Sequence, residues 1–159
     1  LNKSLLMLTR IENQQYKEAK QVSFQALTTD IIDDLSDLIA FKELEVSIDE
    51  ISDFQVEMNP DLARILVSNL LRNAIKYTEK GGDIHILIEE NRFQVKNTAK
   101  DAVRLDSSKI FQRFHKGQQD ATSTGLGLAI VKSIAESYYL KVYYTFEDGK
   151  HCFQVTGVR

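Results

Sequence analysis

Residues 59–97, NPDLARILVSNLLRNAIKYTEKGGDIHILIEENRFQVKN, hold one helix signal followed by one hairpin signal, and that order decides the fold. Asn59 can cap the helix, Pro60 suits its first position, and Asp61 faces the positive end of its dipole. The helix is expected to run to about Tyr77 and to stop before Gly81-Gly82. Asp83 to Glu90 then alternates, with Ile84, Ile86 and Ile88 on one face. Asn91-Arg92 can turn the chain into a partner strand, Phe93 to Asn97.

Upstream, residues 44–48 and 54–58 read as short strands. Residues 27–42 carry Leu27, Ile31, Ile32, Leu35, Leu38 and Ile39 at helical spacing, with Thr28, Thr29 and Asp30 as caps near the start. Val22 and Phe24 alternate with polar neighbours and predict a short strand, reached through a polar connector, Gln14 to Lys20. Residues 1–13 place Leu1, Leu5, Leu8 and Ile11 on one helical stripe with no cap before it. That reads as the tail of a longer helix whose stripe faces either a core or a partner. Leu1, standing where Met would begin a chain, leads us to expect a fragment of a longer protein.

Downstream, Thr98 to Ser123 is polar and unpatterned, which in a compact domain indicates a functional lid or disorder, with mobility expected within about 115–123. Thr124-Gly125-Leu126-Gly127-Leu128 opens a helix to about Tyr138, and residues 140–146 and 151–156 form a hairpin through Asp148-Gly149. The sum is an α+β, two-layer α/β sandwich: a mixed sheet backed by about three helices.

Composition narrows the function. With 159 residues the chain fits one domain, and its 43% hydrophobic content can fill a core. Twenty Lys+Arg against 23 Asp+Glu give a net charge of −3, which argues against a nucleic-acid binder. Cys152 is the one cysteine, so neither a disulfide framework nor a cysteine zinc cluster can form within the chain. No run approaches the ~20 apolar residues of a membrane span.

Three features could carry chemistry. On the helix from Asn59, at about 100° per residue, Asn69 falls roughly 20° to one side of Leu62 and Asn73 roughly 20° to the other. Lys76 extends the same edge. Such amides are either satisfied by nearby backbone, or they hold a hydrated Mg²⁺ and nucleotide phosphates, since magnesium prefers oxygen ligands. Second, Gly125 and Gly127 either form a simple bend or let backbone N–H groups approach an anion at a helix start. The Walker lysine and the full dinucleotide fingerprint are both missing. Third, in Ile110-Phe111-Gln112-Arg113-Phe114-His115-Lys116-Gly117 the two phenylalanines can anchor a turn, leaving Arg113 and Lys116 facing solvent or phosphate. His85, His115 and His151 are dispersed and read as structural or exposed.

In this order the three features resemble the ATP-binding catalytic domain of sensor histidine kinases, within the GHKL ATPase superfamily. Asn69-Leu-Leu-Arg-Asn73-Ala-Ile-Lys76-Tyr77 is similar to its asparagine box, Phe111-Gln-Arg-Phe114 to its phenylalanine box, and Ser123-Thr-Gly-Leu-Gly-Leu-Ala-Ile-Val131 to its second glycine box. The resemblance covers roughly residues 20–157, with a lid at about 98–123. Residues 1–13 resemble the end of the family's second dimerisation helix, and the phosphoacceptor histidine is absent.

The resemblance implies a Bergerat-type fold and ATP and Mg²⁺ as cofactors. Asn73 would coordinate the metal and Asn69 would assist at the phosphates. Lys76 and Tyr77 would reach phosphate and adenine. Arg113, Phe114, Lys116, Gly117, Thr124, Gly125, Leu126, Gly127 and Leu128 would complete the nucleotide site. The parent would be a homodimer tethered to the inner membrane of a bacterium, with this domain in the cytoplasm. Its partners would be its own phosphoacceptor domain and a response regulator receiver domain.

One box departs. Where the family has Asp-x-Gly-x-Gly, with the Asp accepting the adenine amine, this chain has Asn97-Thr98-Ala99-Lys100-Asp101. A neutral acceptor makes a weaker bond than a charged one. This motivates an alternative, a degenerate nucleotide- or partner-binding module without kinase activity. A topoisomerase- or chaperone-type ATPase is disfavoured. Arg64, Ser68 and Arg72 occupy the polar face where its catalytic acid would stand.

Overall fold

The computed structural model describes residues 3–99, 104–106, 108–112 and 126–157. Five helices and seven strands are assigned among them. The first is α1, Lys3–Glu12, followed by β1, Lys20–Ser23. Two helices come next, α2 over Phe24–Asp34 and α3 over Ser36–Phe41. The strands β2, Glu45–Glu50, and β3, Gln55–Met58, lead to α4, Pro60–Lys76. The hairpin strands β4, Asp83–Glu89, and β5, Arg92–Thr98, follow. Last come α5, Gly127–Ser137, and the strands β6, Leu140–Glu147, and β7, Lys150–Gly157.

The main sheet has five strands in the order β2-β4-β5-β7-β6. Only β2 and β4 run parallel; the other neighbours are antiparallel. Contrary to the single sheet expected, β1 and β3 leave it and pair with each other as a separate antiparallel ribbon.

Residues directly opposed in register share a face of the sheet. Ile84, Ile86 and Ile88 oppose Asn97, Val95 and Phe93, which oppose His151, Phe153 and Val155. This face turns toward the helices and is buried along its whole length. It is apolar at one end and polar at the other, where Asn97 and His151 lie.

The helix α4 forms as its sequence dictates. Asn59 Oδ1 accepts from the N–H groups of Asp61 at 3.0 Å and Leu62 at 3.1 Å. The buried stripe of Leu62, Leu66, Leu70, Ala74 and their neighbours faces the sheet. At the far end the Lys42 ammonium donates to the carbonyl of Ile75 at 2.7 Å, placing positive charge at the negative end of the dipole.

Two upstream expectations are corrected. Phe24 begins α2 instead of ending a strand, because Ser23 accepts from the N–H of Ala26 and caps the helix there. Thr28, Thr29 and Asp30 are therefore interior to the helix, and Thr28 is fully buried. The helix expected over residues 27–42 is broken at Leu35 into α2 and α3. The stripe on α1 faces inward: Leu8 and Ile11 are buried, and α1 packs on α5. The expected mobile segment, 115–123, lies outside the described residues. Among those described, no helix is long and apolar enough to cross a membrane.

Candidate functional site

Helices α4 and α5 pack against each other and both rest on the sheet, α4 against β5 and α5 against β6, so the polar edge of α4 meets the start of α5 at one end and the end of β5 at the other. At the first end, a Cβ placed on Gly127 would stand 3.7 Å from Asn69 Oδ1. The amide of one helix thus meets the opening residue of the other. Gly127 is the first residue of α5, and its N-cap position is Leu126, whose side chain cannot accept a capping hydrogen bond. Amide oxygen, helix dipole and backbone N–H groups converge there, a setting suited to an anion and its counter-cation.

Asn73 follows one turn later on the same edge and is half-buried. Lys76 is exposed, and its ammonium stands 5.6 Å from the centre of the Tyr77 ring. The exit of α4 then meets the exit of β5 across Gly82. A Cβ there would be 2.5 Å from Thr78 Cγ2 and 3.7 Å from Thr98 Cβ. Asn97, beside Thr98, is buried at 3% exposure, and its Nδ2 donates to the Thr98 carbonyl at 3.2 Å. From Asn69 to Tyr77 the helix rises about 12 Å, so the polar groups form a track and not a cluster.

The structure therefore brings Asn69 to Gly127, sets Asn73, Lys76 and Tyr77 along one edge, and ends that edge near Asn97. Leu126 is fully buried, and Leu128 packs partly against the core. Arg113, Phe114, Lys116, Gly117, Thr124 and Gly125 lie outside the described residues. Of the aromatic box, Ile110 is buried and Phe111 packs edge-on against Phe153 at 6.1 Å, a footing as expected. Arg64 reaches Asp30 and Asp34 of α2, both at 2.5 Å, so it ties two helices together.

One pair escaped the reading of the sequence. Tyr144 Oη accepts from the Leu105 N–H at 3.0 Å and lies 2.7 Å from His151 Nδ1, with both rings buried. Burial pushes His151 below the usual histidine range and Tyr144 above the usual phenol range. The hairpin turn fixes how β6 and β7 align, but nothing local announces that β7 pairs with β5 and sets His151 opposite Asn97.

Two surface grooves among the described residues, one along α2 and one between α5 and β6, touch none of these amides. Nor does any group of three or more His, Cys, Asp or Glu there form a metal cage. Magnesium would instead need the oxygen of Asn73, and an amide oxygen suits that hard cation.

Comparison with known proteins gives the family and the fold. Residues 58–156 match the family described as histidine kinase-, DNA gyrase B- and HSP90-like ATPase. The heme sensor protein HssS of Staphylococcus aureus is 33% identical over 156 residues, covering 91% of this chain and 33% of its own length. The chain thus spans about a third of that relative. The cytoplasmic segment of histidine kinase QseC superposes with a TM-score of 0.72 at 15% identity, covering 100% of this chain and 97% of its own. Full-length ShkA, in complex with AMPPNP, superposes at 0.70 with 21% identity, covering 98% of this chain and 35% of its own.

Proposed function

The chain belongs to the histidine kinase-, DNA gyrase B- and HSP90-like ATPase family, and from that premise we propose that residues 20–157 bind Mg-ATP and supply its γ-phosphoryl group for histidine autophosphorylation in a two-component sensor kinase. Residues 1–13 would end the second dimerisation helix of a homodimeric parent held at a bacterial inner membrane. The phosphoryl group would pass from the parent's histidine to an aspartate of a response regulator.

The observation that carries the nucleotide site is the approach of Asn69 Oδ1 to Gly127. Two elements distant in sequence meet there, and each offers what a polyphosphate needs. The start of α5 provides N–H donors and a positive dipole end. Asn69 and Asn73 present amide oxygens one turn apart, Asn73 to hold the metal and Asn69 to order the hydrated phosphates. Bound Mg²⁺ neutralises charge on the phosphate oxygens. Lys76 adds positive charge near the middle of the track, and Asn97 accepts the adenine amine at its end. The chain's own contribution is thus positioning and charge compensation, the main needs of phosphoryl transfer.

Calorimetry with Mg-AMPPNP tests the reading. Binding is expected in the micromolar to sub-millimolar range, and Asn73→Ala is expected to abolish it with circular dichroism unchanged. Unchanged affinity in the folded variant would refute the assignment of Asn73. No heat at millimolar nucleotide for the parent sequence would favour the degenerate module to which the altered Asn97–Asp101 box points. The isolated chain, without an acceptor, should form no phosphohistidine.

A further inference from the structure

The polar end of the buried sheet face holds two side chains that can read a base. Asn97 and His151 are directly opposed on β5 and β7, so their side chains leave the same face with Cβ atoms about 5 Å apart. Each is held by a second group. The Nδ2 of Asn97 donates to the Thr98 carbonyl, which fixes the amide orientation and leaves Oδ1 as the presented acceptor. The hydroxyl of Tyr144 accepts from the Leu105 N–H at 3.0 Å and stands 2.7 Å from His151 Nδ1, within reach to donate its own proton there. With Tyr144 donating to Nδ1, the proton of a neutral His151 is on Nε2.

Burial keeps this imidazole uncharged at neutral pH. Its Nε2 makes no hydrogen bond to a described residue. In that tautomer an acceptor, Asn97 Oδ1, and a donor, His151 Nε2–H, stand side by side.

We infer that His151, oriented by Tyr144, is a specificity-determining residue for the nucleotide base, its Nε2–H donating to N1 of an adenine whose 6-amino group donates to Asn97 Oδ1. The inference rests on the nucleotide reading above. Adenine presents a donor next to an acceptor on that edge, and the Asn97–His151 pair presents the complement. Guanine presents an acceptor at O6 and a donor at N1–H, opposing like to like at both places. A neutral Asn97 binds an amine less strongly than a carboxylate would, and a second contact from His151 restores discrimination that a lone amide lacks.

The test compares two nucleotides on the same protein. In the presence of Mg²⁺, ATP is expected to bind about tenfold more tightly than 1-deaza-ATP, in which carbon replaces N1. In His151→Ala the two should bind equally. Tyr144→Phe, which frees the histidine tautomer, should reduce the gap. Because the first comparison needs no variant, a folding defect cannot blur it. If the parent sequence binds both nucleotides equally, the role of His151 is refuted while the nucleotide site stands. If it binds neither at millimolar concentration, the underlying reading falls and takes this inference with it.

Discussion

Gly127 separates binding from folding at the scale of one residue. A methyl group there would stand 3.7 Å from Asn69 Oδ1, an ordinary contact that strains nothing. Alanine is also a better helix former than glycine, by about 1 kcal/mol in a helix interior and less in a first turn. Gly127→Ala should therefore leave the melting temperature unchanged or slightly higher. In the proposed site the same methyl would stand between a phosphate and the N–H groups of α5, so Mg-AMPPNP affinity should fall at least about tenfold. Parallel melting and calorimetry check both halves, and a variant that keeps its affinity would show that the phosphates sit elsewhere. Gly82 makes the contrast. A Cβ there would meet Thr78 Cγ2 at 2.5 Å and the Glu79 carbonyl at 3.0 Å, so that glycine serves packing.

At the scale of elements, helix ends decide more than helix interiors. The end of α5 carries Tyr139 at φ 59, a left-handed conformation that costs a residue with a Cβ about 1 kcal/mol or more. Its side chain is 82% exposed, so little packing offsets that cost. Tyr139→Gly should stabilise the protein by about 1 kcal/mol in urea unfolding, since glycine is the favoured residue just past a helix. A loss of stability would mean the ring is held by something other than solvent.

Helix ends also explain what the sequence disclosed. The start of α4 was legible because Asn59, Pro60 and Asp61 are three local signals that agree. The β4–β5 hairpin was legible because its three isoleucines alternate over a surface buried on one side only. The start of α2 was misread by several residues, because Val22 and Phe24 are both buried although one ends a strand and the other begins a helix. Alternation looked continuous across that boundary, and only Ser23 marked it. The pairing of β1 with β3 joins strands separated by two helices and a third strand, and no periodicity encodes such a partner. The same holds for the polar end of the sheet, where the placement of His151 opposite Asn97 depends on sheet order and not on any local pattern.

For the whole molecule, buried or partnered titratable groups set the response to acid. The pKa of His151 is lowered in the folded protein, because burial disfavours the imidazolium. Below the unfolded value of about 6.5, the unfolded chain then binds a proton that the folded chain refuses. Stability rises with pH wherever the unfolded state holds more protons, so it should fall as pH drops below about 6.5 and level off once the folded histidine also titrates. Asp53 adds a second step. Burial works to raise its pKa, but hydrogen bonds from Ser23, Gln25, Gln55 and Phe54 outweigh it and hold the carboxylate below its ordinary range. That contribution is full above the unfolded value of about 3.9 and is lost as pH falls through the folded one. Urea midpoints measured from pH 8 to pH 3 should thus show a first decline beginning near 6.5, and a further one below about 4. Replacing the imidazole, as in His151→Gln, should flatten the first decline relative to the parent chain and leave the second. If the two profiles stay parallel between pH 6.5 and 5, His151 is not held uncharged in the folded protein.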